Sequence, residues 1–399
     1  MIRLAIALFL VQAGFHGFTA SIPVALARAG RSDAEIGAIV GIASLVMIGG
    51  ALAGGALIDR FGTMRLFIAG GLMYISAALI LIVGGLDSTV GVVAARVLQG
   101  GASGLTVPAS MALVPSLVSA ARRGVAIATV GSAHSLTMVL LPSISIVVLD
   151  LYGMSGVSLV VAGFVVAALA IVVARPIRPN EAAPSHLAAA RRRLGFAWRR
   201  SWLVPLAVIV LFVLHWGLLI AYLPQRAEAA HAEIGLFFAA DGIAVLAARI
   251  PAGWLADHMP PVGPVLAGVA LTFAGVAPLF EPPTTPVLIV AGLLTGIGGA
   301  LIIQPLMLAM TARSTDADRG SAFALFSASF SASVALASVG TAPLIGSVGY
   351  ATLLAVALGA LGLSAVVALL DADLRRRPHV DDDPAQAVAL AKEANAIGP

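Results

Sequence analysis

Residues 34–59 read AEIGAIVGIASLVMIGGALAGGALID, and residues 232–257 read AEIGLFFAADGIAVLAARIPAGWLAD. The two segments align without a gap at a constant offset of 198. Ala34-Glu35-Ile36-Gly37 returns as Ala232-Glu233-Ile234-Gly235, and Gly55, Leu57 and Asp59 return as Gly253, Leu255 and Asp257. A second block repeats at offset 196: Ala95, Leu98, Gly100, Leu105, Arg123 and Gly124 match Ala291, Leu294, Gly296, Leu301, Arg319 and Gly320. Two blocks at nearly one offset are hard to obtain by chance in unrelated helices, so the chain is built from two copies of one plan.

Working outward, the sequence holds apolar runs long enough to cross a bilayer, which takes about 20 residues per helix. They fall near 4–26, 36–57, 66–85, 90–112, 124–149 and 155–174, then near 202–223, 235–256, 263–280, 286–310, 320–346 and 350–370. The expected fold is therefore an all-α membrane protein of twelve transmembrane helices in two pseudo-symmetric six-helix halves. Residues 1–174 form the first half, 175–201 a basic linker, 202–370 the second half and 371–399 a charged tail that reads as mobile. The first 27 residues resemble a secretory leader in having Arg3 before an apolar run, but the repeat requires them as a helix. Within the linker, Leu187, Leu194, Phe196, Trp198 and Trp202 interleave with Arg191, Arg192, Arg193, Arg199 and Arg200. That segment is either an amphipathic helix on an anionic leaflet or a solvated basic loop.

Composition agrees. The chain is 60% hydrophobic and 11% charged, with a mean hydropathy of +1.04, which no soluble domain of this length could bury. The absence of cysteine excludes disulfides, thiolate nucleophiles and Cys-based metal sites. The high isoelectric point does not signal nucleic acid, because the basic residues follow the membrane pattern. With the N-terminus in the cytosol, 18 of the 23 Lys/Arg fall on the cytosolic side, only Arg28, Arg31 and Arg226 fall outside, and Arg96 and Arg249 lie within spans. The positive-inside rule then places the protein in the inner (cytoplasmic) membrane, multi-pass, with both termini cytosolic.

Short motifs carry a resemblance to a family. Gly55-Ala-Leu-Ile-Asp59-Arg60-Phe-Gly62-Thr-Met-Arg65 resembles the signature loop between helices 2 and 3 of the major facilitator superfamily, with Thr63 and Met64 where basic residues are usual. Arg249-Ile-Pro-Ala-Gly253-Trp-Leu-Ala-Asp257 resembles the matching loop between helices 8 and 9, and Arg96-Val-Leu-Gln99-Gly100 the family's helix 4 motif. The likeness covers nearly the whole chain and extends to the drug and sugar efflux branch. The family's antiporters usually carry a Gly-Pro-x-x-Gly-Gly-like signature in helix 5. The candidate here, Leu141-Pro142-Ser143-Ile144-Ser145, keeps the proline and lacks the flanking glycines. The resemblance implies a secondary active transporter that exports a small organic solute by alternating access in exchange for protons, working as a monomer without cofactor or metal. An importer or facilitator of the same fold is the alternative. It also implies two gate contacts, Asp59 with the start of helix 11 at Arg319-Gly320-Ser321 and Asp257 with the start of helix 5 at Arg123-Gly124-Val125. Gly55, Asp59, Arg60, Gly62, Arg65, Arg249, Gly253 and Asp257 are the gating candidates.

Ionisable groups inside the membrane cost roughly 2.5–3.5 kcal/mol each on insertion scales, so each requires a reason. Arg96 serves as an anion or substrate contact, or is satisfied by backbone carbonyls. Asp241 is the one carboxylate well inside a predicted span, and its repeat-mate is Ala43. It is the candidate proton-coupling site, or it pairs with Arg249 eight residues on. His16, His134 and His215, with Gln99 of the helix 4 motif, complete the expected substrate and proton pathway through a central cavity. Ser32-x-x-Glu35 is a capping box at a helix start. No phosphate-binding Gly-x-x-x-x-Gly-Lys-Ser/Thr and no His-Glu-x-x-His occurs. ATP-driven transport and intramembrane metalloprotease chemistry therefore have no sequence support. A transport-dead sensor would have a purely apolar core, which these polar residues argue against.

Overall fold

The computed structural model describes residues 2–117, 123–174, 198–314 and 319–376, all of whose regular elements are helices. The first span is broken into α1 (Ile2–His16) and α2 (Ser21–Arg28). Then come α3 (Asp33–Phe61), α4 (Thr63–Gly84), α5 (Thr89–Leu117) and α6 (Arg123–Ala174). After the linker follow α7 (Leu203–Ala229), α8 (Ile234–His258), α9 (Val262–Val276), α10 (Thr285–Ala312), α11 (Arg319–Ser338) and α12 (Ile345–Leu370).

The 52 residues of α6 would extend about 78 Å at 1.5 Å per residue, more than twice the ~30 Å hydrocarbon core. The chain turns within α6 at Gly153, where φ is 66°. So α6 holds two spans, and with α1–α2 counted as one the described helices supply the twelve expected crossings. Gly349, at φ 77°, makes the matching turn near the start of α12, and it lies 196 residues beyond Gly153. The offset seen in sequence is thus present in backbone geometry, at two positions where only glycine is at ease.

The break in the first span has a local cause. Pro23 removes one backbone donor, and the hydroxyls of Thr19 and Ser21 donate back to the carbonyls of Phe15 and Gly17. The helix start predicted at Ser32 is formed, with Glu35 and Ser32 exchanging both bonds of a capping box. The turns before α3 and α8 are copies of each other. Arg31 N–H donates to Leu26 O and Ala232 N–H to Ala227 O, each closing over a residue at positive φ, Gly30 in one and His231 in the other.

Two readings change. Trp202 belongs to the core: it is fully buried, and its Nε1 donates to Arg313 O. The rest of the proposed amphipathic segment up to residue 197 lies outside the described residues. The tail does not leave the bundle at once. Asp371 takes two bonds of 3.1 Å from the Arg313 guanidinium, Leu374 O accepts from Val262 N–H, and the Leu374 side chain is buried. The first residues after α12 are therefore tied to the start of α9 and the end of α10.

Within each half, helices approach closely through glycine. A Cβ on Gly100 would strike the Ala43 carbonyl, and one on Gly296 would strike the Asp241 carbonyl. These are the α3–α5 and α8–α10 crossings, and they are repeat-mates. Gly50 and Gly104 meet at a second point of the α3–α5 crossing. Close contact of small residues replaces the hydrophobic driving force that lipid does not supply. Gly49, also on α3, faces open space.

We expect Gly100→Val and Gly296→Val each to destabilise the protein by about 1–3 kcal/mol through overpacking. Gly49→Ala should leave stability unchanged or slightly raised. Thermal unfolding of the purified protein in detergent measures all three, and equal midpoints for Gly100→Val and Gly49→Ala would contradict the crossing geometry.

Candidate functional site

Polar side chains inside the bundle form one group per half. In the first half the hub is Gln12 on α1, which is fully buried. Its Oε1 lies 3.2 Å from Tyr74 Oη on α4 and 3.0 Å from Thr106 Oγ1 on α5. Its Nε2 lies 3.3 Å from His134 Nδ1 on α6. One amide thus ties four helices. The His134 ring meets His16 edge-on at 5.5 Å, and His16 meets Phe15 edge-on at 5.3 Å.

Arg96 lies seven residues into α5 and is buried. Its Nε and Nη2 donate to the carbonyls of Ile39 and Val40 on α3, at 3.3 and 2.9 Å. Its Nη1 donates to Gln99 Oε1 at 2.8 Å, and its Cζ stands 5.8 Å from the centre of the Phe15 ring. The guanidinium is therefore held by neutral acceptors. Gln99 Nε2 and His16 Nε2 are buried without a hydrogen-bond partner.

In the second half, Asp241 Oδ1 accepts from Thr295 Oγ1 at 3.0 Å. Asp241 bonds to Thr295 and not to Arg249, so the i,i+8 pairing is not formed. His215 is buried on α7, its Nδ1 2.5 Å from Phe212 O and its ring edge-on to Phe212. The structure thus brings His16 and His134 together, sets Arg96 beside Gln99 and Phe15, and keeps His215 and Asp241 in the other half. Gln12, Tyr74 and Thr106 escaped the sequence reading, which looked for ionisable groups. The available signal was an amide inside the first apolar run.

Among the gating candidates, Gly62 is the single residue between α3 and α4, at φ 85° and ψ 150°, a conformation open to glycine alone. The Arg60 guanidinium lies 5.2 Å from the centre of the Phe61 ring, and Arg65 is exposed. Arg249 is partly buried, and a Cβ on Gly253 would meet only open space. The side chains of Asp59, Asp257, Arg123 and Arg319, and the surroundings of Gly55, Gly124 and Gly320, lie outside the described residues, and with them both expected gate contacts.

The two halves meet at the side opposite the linker. Gly41 of α3 abuts Ser338 and Val339 at the end of α11, while Gly235 and Gly242 of α8 abut Ile146 and Val139 of α6. Tyr222 of α7 lies against Gly37 and reaches Ser338 O and Thr341 Oγ1, at 3.2 and 3.0 Å. An ion pair bridges the same face. Arg28 of the first half contacts Glu228 of the second at 2.7 Å, as well as Asp150 of its own half at 2.7 Å. Arg226 of the second half, stacked 4.3 Å from the centre of the Tyr350 ring, acts electrostatically on Asp33 of the first.

A sequence model of the Major Facilitator Superfamily matches residues 4–231 and again residues 209–396. The chain belongs to that superfamily and is a multi-pass membrane transporter. No curated protein matches the sequence. Solved structures share the fold. A D-xylose-proton symporter superposes with a TM-score of 0.72 at 16% identity, over 94% of this chain and 98% of that one. A mutant peptide transporter POT superposes with a TM-score of 0.71 in two structures, with sulfate at 14% identity and with alafosfalin at 15%. Each POT match covers 92% of this chain and 94% of the other.

Exposed ion pairs contribute about 0.5–1 kcal/mol, enough to shift a two-state population two- to fivefold. Glu228→Gln should therefore widen the face opposite the linker, whereas Asp150→Asn, which breaks only a contact within one half, should not. Spin labels at Ala29→Cys and Ala229→Cys, in a chain with no other cysteine, report the distance. Equal distributions in Glu228→Gln and wild type would remove the inter-half role of Arg28.

Proposed function

We propose that the protein exports a small organic solute across the inner membrane by alternating access, in exchange for protons, with both termini in the cytosol. The asymmetry of Lys and Arg supports that orientation, so the face where the halves meet is the outer one and this is an outward-closed state. The observation that carries the coupling is the Asp241–Thr295 pair. A carboxylate whose side-chain partner is a neutral hydroxyl can bind and release a proton without breaking an ion pair. Asp241 also has no structural duty inherited from the repeat, since Ala43 fills the equivalent place. His16 and His134 offer a second exchangeable pair in the first half, and Arg96 with Gln99 offers donors to a solute.

The fold neighbour described as a D-xylose-proton symporter favours one other reading, proton-driven import through the same Asp241. Both readings give Asp241 the same role and differ in the direction of solute movement relative to the proton gradient.

The test is flux in proteoliposomes across a panel of solutes with an imposed pH gradient. Export by antiport predicts solute movement against the direction of the proton, and import by symport predicts movement with it. In Asp241→Asn, gradient-driven flux should fall to the downhill rate while the protein remains folded and exchange persists. Undiminished gradient-driven flux in that variant would remove Asp241 from the coupling mechanism.

A further inference from the structure

The two glycine crossings allow the halves to be compared residue by residue. Gly100 sits on the carbonyl of Ala43, and Gly296 sits on the carbonyl of Asp241. One residue before each glycine in sequence stands a polar side chain, Gln99 in the first half and Thr295 in the second. In the second half the pair is complete, because Thr295 donates to the Asp241 carboxylate. In the first half the carboxylate is replaced by the methyl group of Ala43.

In the turn of α3 that precedes Ala43, the crossing holds a set of donors. Arg96 can only donate, so its bond to Gln99 Oε1 fixes which end of the amide is which. Gln99 Nε2 is thereby left as a buried donor without an acceptor. The guanidinium beside it bonds only to two backbone carbonyls and the amide, and no carboxylate lies among its partners. The acids of the first half, Asp33, Glu35, Asp59, Asp87 and Asp150, all lie at or near helix ends. His16, next in chain to the Phe15 ring that the guanidinium faces, adds a second buried nitrogen without a partner. A buried donor left unpaired costs about 1–3 kcal/mol, and a cation beside it makes an anionic acceptor the best remedy.

We propose that Arg96 and Gln99 form a carboxylate subsite, and that the solute is a small organic anion whose carboxylate takes the place that Asp241 fills in the other half. This rests on the transporter reading and names its substrate class. Both side chains are sealed from solvent in this conformation, so the carboxylate would be held dehydrated, where charge-assisted hydrogen bonds are strongest. The order of events follows: the surrounding helices part, the anion enters, and closure buries it.

The purified full-length protein in detergent tests this by thermal unfolding with benzoate and lactate, against benzamide and lactamide as neutral isosteres. The acids should raise the midpoint by several degrees and the amides should not. Ala43→Asp restores from the chain the carboxylate that the repeat lacks. It should raise the midpoint without any ligand and abolish the response to the acids. Gln99→Glu, which places a carboxylate beside Arg96 from the same helix, should likewise fold and lose the response. Four results each overturn the proposal: amides that stabilise as well as acids, no response of the wild type to either acid, a lowered midpoint in Ala43→Asp, or an undiminished acid response in that variant. Flux of neutral solutes in proteoliposomes without acid binding would overturn this subsite and leave the transporter reading standing. Absence of any flux would overturn the transporter reading instead.

Discussion

A glycine seated on a backbone carbonyl, once where α5 crosses α3 and once where α10 crosses α8, is the contact on which each half depends. Lipid is as apolar as leucine, so helices gain little by burying apolar side chains against each other, and close dispersion contact must hold them. The crossing also fixes the polar chemistry. Arg96 lies one turn before Gly100, and Ile39 lies one turn before Ala43. Because the backbones are so close at the glycine, the guanidinium one turn away reaches the carbonyls of Ile39 and Val40 directly. A larger residue at Gly100 would move α5 outward and strand a cation in the membrane. The same holds for Asp241 and Thr295, which flank Gly296.

Most of the fold was legible in the sequence, because length and apolarity of spans are dictated by the bilayer and repeats leave direct traces. The Ala-Glu-Ile-Gly repeat and the glycines of the crossings were visible for that reason. The site was legible only in part. Arg96, Asp241 and the histidines stand out because charge in an apolar run is rare. What they bond to was hidden: the carbonyls of Ile39 and Val40 carry no signature, since every residue has one. Gln12 was passed over because a neutral amide costs less in a membrane than an ion, although it gathers four helices. The Arg28–Glu228 pair joins positions 200 residues apart and depends on how the halves lean together. His231 shows the limit from the other side: a positive φ that glycine announces at Gly30 is adopted there by a residue that gives no warning.

The contacts between halves are of a different kind from those within them. Inside a half, glycine-mediated crossings and the Gln12 hub make a unit with few alternatives. Between halves, on the face opposite the linker, glycines of α3 and α8 touch side chains at the end of α11 and on α6, and the half-exposed Arg28–Glu228 pair bridges the rim. Such a rim pair is worth little, which would suit an interface that opens under the proposed alternating access. Tyr222 belongs to this layer too. Its hydroxyl is bonded within the second half while lying against Gly37 of the first, so it can withdraw without leaving a polar group unpaired. Two closely packed halves joined by few polar contacts would fit the proposed rocking mechanism.

The repeat then explains why the charges lie where they do. Backbone contacts have been kept in both copies while the side chains around them have parted: Arg96 answers to Gly292, Gln99 to Thr295 and Ala43 to Asp241. Had the cation and the carboxylate been placed in one half, at one crossing, they would form a buried ion pair that no movement of the halves could open. Such a pair is difficult to protonate and offers nothing to a solute. With Arg96 in the first half and Asp241 in the second, each is held by neutral partners of its own half. The separation between the two charges then changes with the angle between the halves. With the proposed roles of Arg96 in solute binding and Asp241 in proton exchange, both charges would be tied to the transport state through rigid-body motion alone.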